Sequence, residues 1–274
     1  MTTKPSKVLI IGSGPIITNT EVMPGVYLTW LESPQIASSA LPGQFVMVYC
    51  GDETLLRRPL SIHQVDKTKL ALLFNVVGRG TRWLSRRKPG NKIDLFGPLG
   101  SGFSVLPASH NLLLAAGGIG IAPLAFLAQE AVNQKHTVKL LMGAPTASQL
   151  YPRHLLPPEI ELITATEDGT EGKKGVVIDY VSNNLDWADQ VFACGPMPMY
   201  KAMADKHHQL IKDKPVQISL EMRMGCGLGV CYGCTVKTKN GLKPVCKDGP
   251  VFDLEDVLWG ELSLFSPTVA EGKT

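Results

Sequence analysis

The stretch LLLAAGGIGIAPL, residues 112–124, decides how the chain is read. An apolar run of strand length ends at Gly117-Gly118-Ile119-Gly120, and a helical pattern begins near Pro123. Glycines let the backbone approach a ligand closely. A helix N-terminus adds unpaired N–H groups and a positive dipole end, so a strand–glycine–helix junction suits a phosphate. Pro123 fits the first helical turn, where its missing N–H would have had no partner. The plainer alternative is a glycine-rich turn between a strand and a helix.

Downstream, strand and helix patterns alternate. APLAFLAQEAVNQ (122–134) has helical periodicity, TVKLLMGA (137–144) and IELITATEDG (160–169) read as strands, and ADQVFACGP (188–196) precedes the helical MPMYKAMADKHHQLIKD (197–213). Such alternation over residues 106–215 predicts an open parallel sheet. Cys194-Gly195-Pro196 ends a strand at the edge where open sheets bind ligands. A ligand lying across both strand ends fits a nicotinamide dinucleotide. Its candidate contacts are Gly117, Gly118, Gly120, Pro123, Cys194, Gly195 and Pro196, with Cys194 a small pocket residue rather than a metal ligand. No arginine pair follows LLMGAPTASQL (140–150) to mark a 2′-phosphate site, which agrees with NAD over NADP.

Upstream, residues 1–105 hold short apolar runs separated by Pro/Gly turns: KVLIIGSGP, GVYLTWLES, GQFVMVYC, RRPLSIHQVD, LALLFNVVG and NKIDLFGPLG. Strands at this spacing, without long helices between them, predict a small antiparallel barrel. VLIIGSGPII (8–17) looks like the start of a dinucleotide fingerprint. Its third glycine position is Ile17, however, no amphipathic helix follows, and Pro24-Gly25 imposes a turn. It reads as a barrel strand and its turn. In RRPLS (57–61), Arg58 could pair with a phosphate through its planar fork. In VVGRGTRWL (76–84), Gly80-Thr81 precede a helical pattern that Thr81 could cap while N–H groups face an anion. His63 is read as either a neighbour of a bound ring or a barrel-strand histidine, and Cys50 as a buried small residue. The basic RWLSRRK (82–88) and the pair His207-His208 are read as solvated helix faces.

Across its 274 residues the chain is 44% hydrophobic and 19% charged, with a net charge of +3. These values describe a globular protein and give no case for nucleic acid as a partner. No apolar run reaches the roughly 18–20 residues of a membrane span. The N-terminal MTTKPSKVLIIGSGP has too short an apolar core for a signal peptide and no A-x-A-like cleavage site. A cytoplasmic location is expected, so clustered cysteines are read as metal ligands or redox groups rather than disulfides.

Residues 216–274 hold that cluster. MRMGCGLGVCYGC (222–234) places Cys226, Cys231 and Cys234 at C-x4-C-x2-C spacing, and Cys246 follows after eleven residues. This is the plant-type [2Fe–2S] order, with the final gap shorter than in soluble ferredoxins. Gly225, Gly227, Gly229 and Gly233 interleave the ligands, as a loop that wraps tightly around a cluster requires. A four-thiolate zinc site is the rival, although zinc knuckles usually pair C-x2-C with C-x2-C, and one such pair occurs here.

R-P-L-S, LPGQFVMV (41–48), G-G-I-G-I-A-P and C-G-P together resemble the ferredoxin-reductase-like family. The resemblance implies a flavin-binding β-barrel followed by a Rossmann-like NAD domain. It implies that Arg58, Pro59, Leu60 and Ser61 bind FAD, that Leu73, Phe74 and Asn75 line its far side, and that Gly80 and Thr81 hold its pyrophosphate. Where Leu60 stands, many relatives carry an aromatic residue. EMRMGCGLGVCYGCTVK, PVCKDGPVF and TEDGTEGKKG narrow the likeness to the electron-transfer subunits of NAD-dependent dihydroorotate dehydrogenases. That family implies three parts: a flavin barrel (1–105), an NAD domain (106–215) and a small iron–sulfur domain (216–274). It also implies an FMN-containing catalytic subunit as partner, in a two-plus-two heterotetramer. Electrons from dihydroorotate would pass through the cluster and FAD to NAD+. An electron-delivery subunit of a sulfide dehydrogenase, transhydrogenase or hydrogenase is the alternative.

Overall fold

Residues alternating between apolar and polar build the first half of the molecule. The computed structural model describes residues 10–206 and 214–264; His207 and His208 lie outside them. Six antiparallel strands, β1 (Ile10–Met23), β2 (Val26–Glu32), β3 (Phe45–Val48), β4 (Arg58–Asp66), β5 (Lys69–Asn75) and β6 (Lys92–Leu99), close into a barrel. Their order around it is β1-β2-β5-β4-β3-β6. β6 shows the two-residue period, with Ile93 and Leu95 buried and Lys92 and Asp94 outward. Short helices α1 (Pro34–Ala37) and α2 (Arg79–Ser85) fill the longer connections. The glycines of the N-terminal G-x-G lie inside β1. Gly14 packs so closely on β2 that a Cβ would sit 1.9 Å from the Glu32 carbonyl oxygen. The turn falls at Pro24-Gly25, as expected, with Gly25 at φ +73.

The second half is a sheet with helices. Its strands are β7 (Asn111–Gly117), β8 (Thr137–Ala144), β9 (Glu161–Thr166), β10 (Lys173–Lys174), β11 (Gln190–Cys194) and β12 (Val216–Ser219). Between them run α3 (Ile121–Asn133), α4 (Ile178–Val181) and α5 (Met197–Lys206). The cysteine-rich segment then forms a hairpin of β13 (Thr235–Thr238) and β14 (Gly241–Pro244), a turn of helix α6 (Val245–Asp248), and β15 (Val251–Asp253). β15 returns to the large sheet, giving the order β10-β9-β8-β7-β11-β12-β15, parallel except at the final β12–β15 pair. Leu112 to Ala116 of β7 are all fully buried, as befits a parallel strand covered on both faces. The chain runs outward from β7 through β8 and β9, then crosses back to β11 on its other side. The switch point therefore lies between β7 and β11.

Shared cores join the parts. Met23, Leu28 and Leu73 of the barrel pack with Ala122, Leu124 and Ala125 of α3. Phe45, Met47 and Leu99 pack with Leu113 and Ala115 of β7 and with Cys234, Val245 and Cys246. No helix among the described residues is long and apolar enough to cross a membrane.

Candidate functional site

At the switch point the two glycine motifs touch. Ala116 of β7 pairs with Cys194 of β11, so G-G-I-G and C-G-P leave the sheet side by side. A Cβ on Gly120 would lie 2.0 Å from the Cys194 carbonyl oxygen, and one on Gly117 would lie 2.8 Å from Pro196 Cδ. Gly195 also faces Gly117, with 3.2 Å from its Cβ position to the Gly117 Cα. Gly118 adopts φ +53 and has nothing within 4 Å of its Cβ position. Pro123 is the third residue of α3, in its first turn as expected. Cys194 is buried, its Sγ 3.5 Å from the Ser219 carbonyl, and burial pushes its thiol up to about 12. Tyr200, which sequence reasoning missed, braces this edge. Its buried hydroxyl accepts from Gly195 N–H at 2.9 Å and donates to the Ser219 carbonyl at 2.6 Å.

On the barrel, Arg58, Pro59, Leu60 and Ser61 are half-buried along β4, paired with Val48, Met47, Val46 and Phe45 of β3. Arg58 lies against Gly80, where a Cβ would meet its Nε at 2.8 Å, so the glycine makes room for the guanidinium. Thr81 caps in a different way from that expected. α2 begins at Arg79, so Thr81 is its third residue, and the hydroxyl reaches back to accept from Val77 N–H (3.0 Å) and Gly78 N–H (3.2 Å). Leu73 and Phe74 are buried in protein on opposite faces of β5, Leu73 among α3 residues and Phe74 in the barrel core. Both are 2% exposed as whole residues, so of the three it is the half-buried Asn75 that presents surface. Arg57, rather than Arg58, is locked in an ion pair. It meets both Asp94 carboxylate oxygens at 3.1 and 3.0 Å and lies over the Phe96 ring. Cys50 is buried as expected, and burial raises its thiol to about 11.

His63 points away from the barrel into the seam with α3. Its Nδ1 is 2.9 Å from the Ala122 carbonyl oxygen and its Nε2 is 2.8 Å from the Tyr151 hydroxyl. Full burial, partly opposed by the Ala122 bond, lowers its pKa to about 4.

The cysteine loop packs against the side of the barrel. Cys234 and Cys246 are buried, Cys226 is half-buried and Cys231 is exposed. N–H groups already point at sulfur: Leu228 to Cys226 (3.3 Å), Gly229 to Cys246 (3.1 Å) and Cys246 to Cys234 (3.4 Å). Positive φ at Gly227 and Gly229 coils the loop, and Gly225 and Gly233 pass close to the Cys231 sulfur. Burial alone would raise the Cys226 thiol, but N–H groups of Cys231, Leu228 and Val230 bring it down to about 6. Burial and the neighbouring Cys234 push Cys246 up to about 12. Thiols interact as Cys226 with Cys231 and Cys234 with Cys246. Among the described residues, no three His, Cys, Asp or Glu side chains already stand as a metal-holding group. Four soft donors, a glycine-rich wrap and N–H groups aimed at sulfur nevertheless suit a [2Fe–2S] cluster. Gly227 presses this loop on the barrel, its Cβ position 2.7 Å from Met47 Cγ and 3.3 Å from Leu99 Cδ1. Met47 pairs with Pro59, so the loop lies one strand from R-P-L-S.

A family model described as the iron–sulfur cluster binding domain of dihydroorotate dehydrogenase B matches residues 221–258, which favours iron–sulfur over zinc. The chain is 43% identical over 249 residues to the dihydroorotate dehydrogenase B (NAD(+)) electron transfer subunit of Desulforamulus reducens, covering 87% of this chain and 94% of that one. It is 35% identical over 251 residues to the Bacillus pumilus subunit of the same name, covering 88% and 96%. A solved NADH-dependent reduced ferredoxin-NADP oxidoreductase, described for flavin-based electron bifurcation, superimposes with a TM-score of 0.83. It is 30% identical, with 92% of this chain and 91% of that one covered. On sequence, cysteine loop and fold alike, the chain belongs to the family of dihydroorotate dehydrogenase B (NAD(+)) electron transfer subunits.

Proposed function

We propose that this chain conveys electrons from dihydroorotate, oxidised in a separate FMN-containing catalytic subunit, to NAD+. When bound, a [2Fe–2S] cluster exchanges single electrons, a flavin exchanges single electrons for pairs, and nicotinamide accepts a hydride. Cys226, Cys231, Cys234 and Cys246 would hold the cluster. Arg58–Ser61 and the Gly80-Thr81 turn would hold FAD, with Leu73, Phe74 and Asn75 on its far side. Gly117, Gly118, Gly120, Pro123 and Cys194–Pro196 would receive the pyridine dinucleotide. The contact of Gly227 with Met47, directly across from Pro59, carries this reading, because it sets the cysteine loop against the flavin strand. Residues 1–105, 106–215 and 216–274 then serve flavin, nucleotide and cluster, and β12 and β15 tie the third part to the second.

Exposed Cys231 is flanked by apolar side chains in water: Leu228 (45% exposed), Val230 (75%) and Tyr232 (65%). That face suits the catalytic subunit, in a complex of two copies of each chain. We place the reaction in the cytoplasm, in keeping with six unpaired cysteines. The likeness to the NADH-dependent ferredoxin-NADP oxidoreductase favours one second reading, an electron-delivery subunit of a different oxidoreductase.

Purification with native partners tests the choice. Flavin and cluster absorbance together with an FMN subunit active on dihydroorotate is the expected result. A different partner enzyme would overturn it. The chain alone should reduce dyes with NADH and leave dihydroorotate untouched. In the complex, Cys231→Ala should abolish dihydroorotate-to-NAD+ turnover with FAD still bound, and full turnover would refute the ligand assignment.

A further inference from the structure

β4 and β5 pair at Asp66↔Lys69, Val65↔Leu70 and Gln64↔Ala71, and the next pair is Ile62↔Leu72. One residue of β4, His63, is left over opposite β5. Such a bulge turns a side chain out of the regular ladder, and bulges concentrate beside active sites for that reason. The turned-out imidazole is fully buried and bridges the seam between barrel and sheet domain. A carbonyl can only accept, so Nδ1 carries the proton and donates to Ala122. Nε2 then accepts from the Tyr151 hydroxyl, and one neutral tautomer satisfies both nitrogens.

Both ends of this bridge are placed next to the proposed cofactor motifs. Ser61, two residues before His63, ends R-P-L-S. Ala122 lies two residues after Gly120, which ends G-G-I-G. The rest of the seam is largely apolar. Phe126 of α3 packs into the barrel core, and Gln129 Nε2 reaches the Val65 carbonyl at 3.3 Å. Apolar contacts tolerate sliding, whereas two short directional bonds from one buried ring accept one register.

We propose that His63 is a positioning residue for hydride exchange, setting the spacing between the flavin strand and the nucleotide turn by bonding Ala122 and Tyr151 at once. This inference rests on the cofactor assignments above. Burial keeps the ring neutral near pH 7, so its part is geometric rather than proton transfer.

The test uses the full chain loaded with FAD and cluster, and follows reduction of the bound flavin by NADH and by 4-deuterated NADH. His63→Leu removes both bonds, His63→Asn keeps an N–H for the Ala122 carbonyl, and Tyr151→Phe removes the second bond alone. Hydride transfer should slow ~10- to ~100-fold in His63→Leu, the scale of a displacement of about 1 Å. Flavin and cluster content should stay at the wild-type level, and His63→Asn should recover most of the rate. A wild-type rate in His63→Leu overturns the proposal. So does slowing that merely parallels loss of FAD, or no rescue by asparagine. If His63→Leu does not fold, Tyr151→Phe decides: slowed transfer at full FAD content supports the proposal, and an unchanged rate overturns it. A wild-type chain without flavin absorbance would instead overturn the functional assignment, before any variant is compared.

Discussion

Gly120→Ala isolates the contact between the two glycine turns proposed to receive the nucleotide. Gly120 has φ −58, a conformation alanine adopts freely, so the substitution adds bulk without backbone strain. The new methyl would lie 2.0 Å from the Cys194 carbonyl oxygen, 2.4 Å from its carbon and 2.9 Å from Gly195 N. Ordinary contact begins at 3.4 Å, so the turns must part by about 1.4 Å. The obstacle is backbone, held by the β7–β11 ladder up to the Ala116–Cys194 pair, so no side chain can rotate away. Overpacking of this kind costs about 1–3 kcal/mol, and a misplacement of this size costs on the order of 100-fold in a transfer rate. The assay is NADH binding and flavin reduction on the FAD-loaded chain, beside thermal unfolding. Gly12→Ala, with nothing within 4 Å of its Cβ position, is the control and should stay within about 0.5 kcal/mol of wild type. Native NADH affinity and native flavin reduction in Gly120→Ala would refute the placement of the nucleotide at this junction.

Three other outcomes follow from geometry already described. The His63 pKa falls from 6.5 to about 4 on folding, so between those values the unfolded chain binds a proton that the folded chain does not. Stability should drop as pH falls through that window, by about 3 kcal/mol at about 1.4 kcal/mol per pH unit. Urea unfolding should show this slope in wild type and a shallower one in His63→Leu, and equal slopes would contradict it. Gly227→Ala meets φ +73 and the Met47 side chain. It should cost about 1–2 kcal/mol and lower iron content while NADH-driven dye reduction persists; full iron content and full stability would count against the packing of loop on barrel. Tyr200→Phe strips a partner from Gly195 N–H and from the Ser219 carbonyl and should cost about 1–3 kcal/mol in a thermal melt. No measurable loss would show that water replaces the hydroxyl.

The strands were legible because their apolar runs are local: LALLFNVV and LLLAAG each declare burial within a few residues. The cysteine spacing and the glycines at strand ends are local signals as well, and G-G-I-G and C-G-P do meet at the switch point. What the chain order hides is pairing. Three residues, Val251–Asp253, complete the large sheet against β12, and nothing in so short a run announces a partner thirty-odd residues earlier. The bulge at His63 is equally silent, since it exists as a mismatch between two strands rather than as a pattern in either. Thr81 reads in sequence as a cap at a helix start, but the helix begins three residues sooner than such a cap allows, because the extended Gly78 occupies the cap position. Tyr200 reads as one more apolar position of α5, and its hydroxyl acquires meaning through Ser219, which lies at the end of β12.

The pairing of Ser219 with Val251 makes residues 220–250 a closed loop with its neck clamped in the sheet. Closing a loop of this length costs on the order of 3 kcal/mol of chain entropy, and here the sheet rather than the cluster supplies the closure. The barrel and sheet can form first, leaving an empty purse of thiols held shut at its drawstring. Iron and sulfide then need only organise the purse itself, so the polypeptide can be made, folded and loaded with flavin before its cluster is delivered.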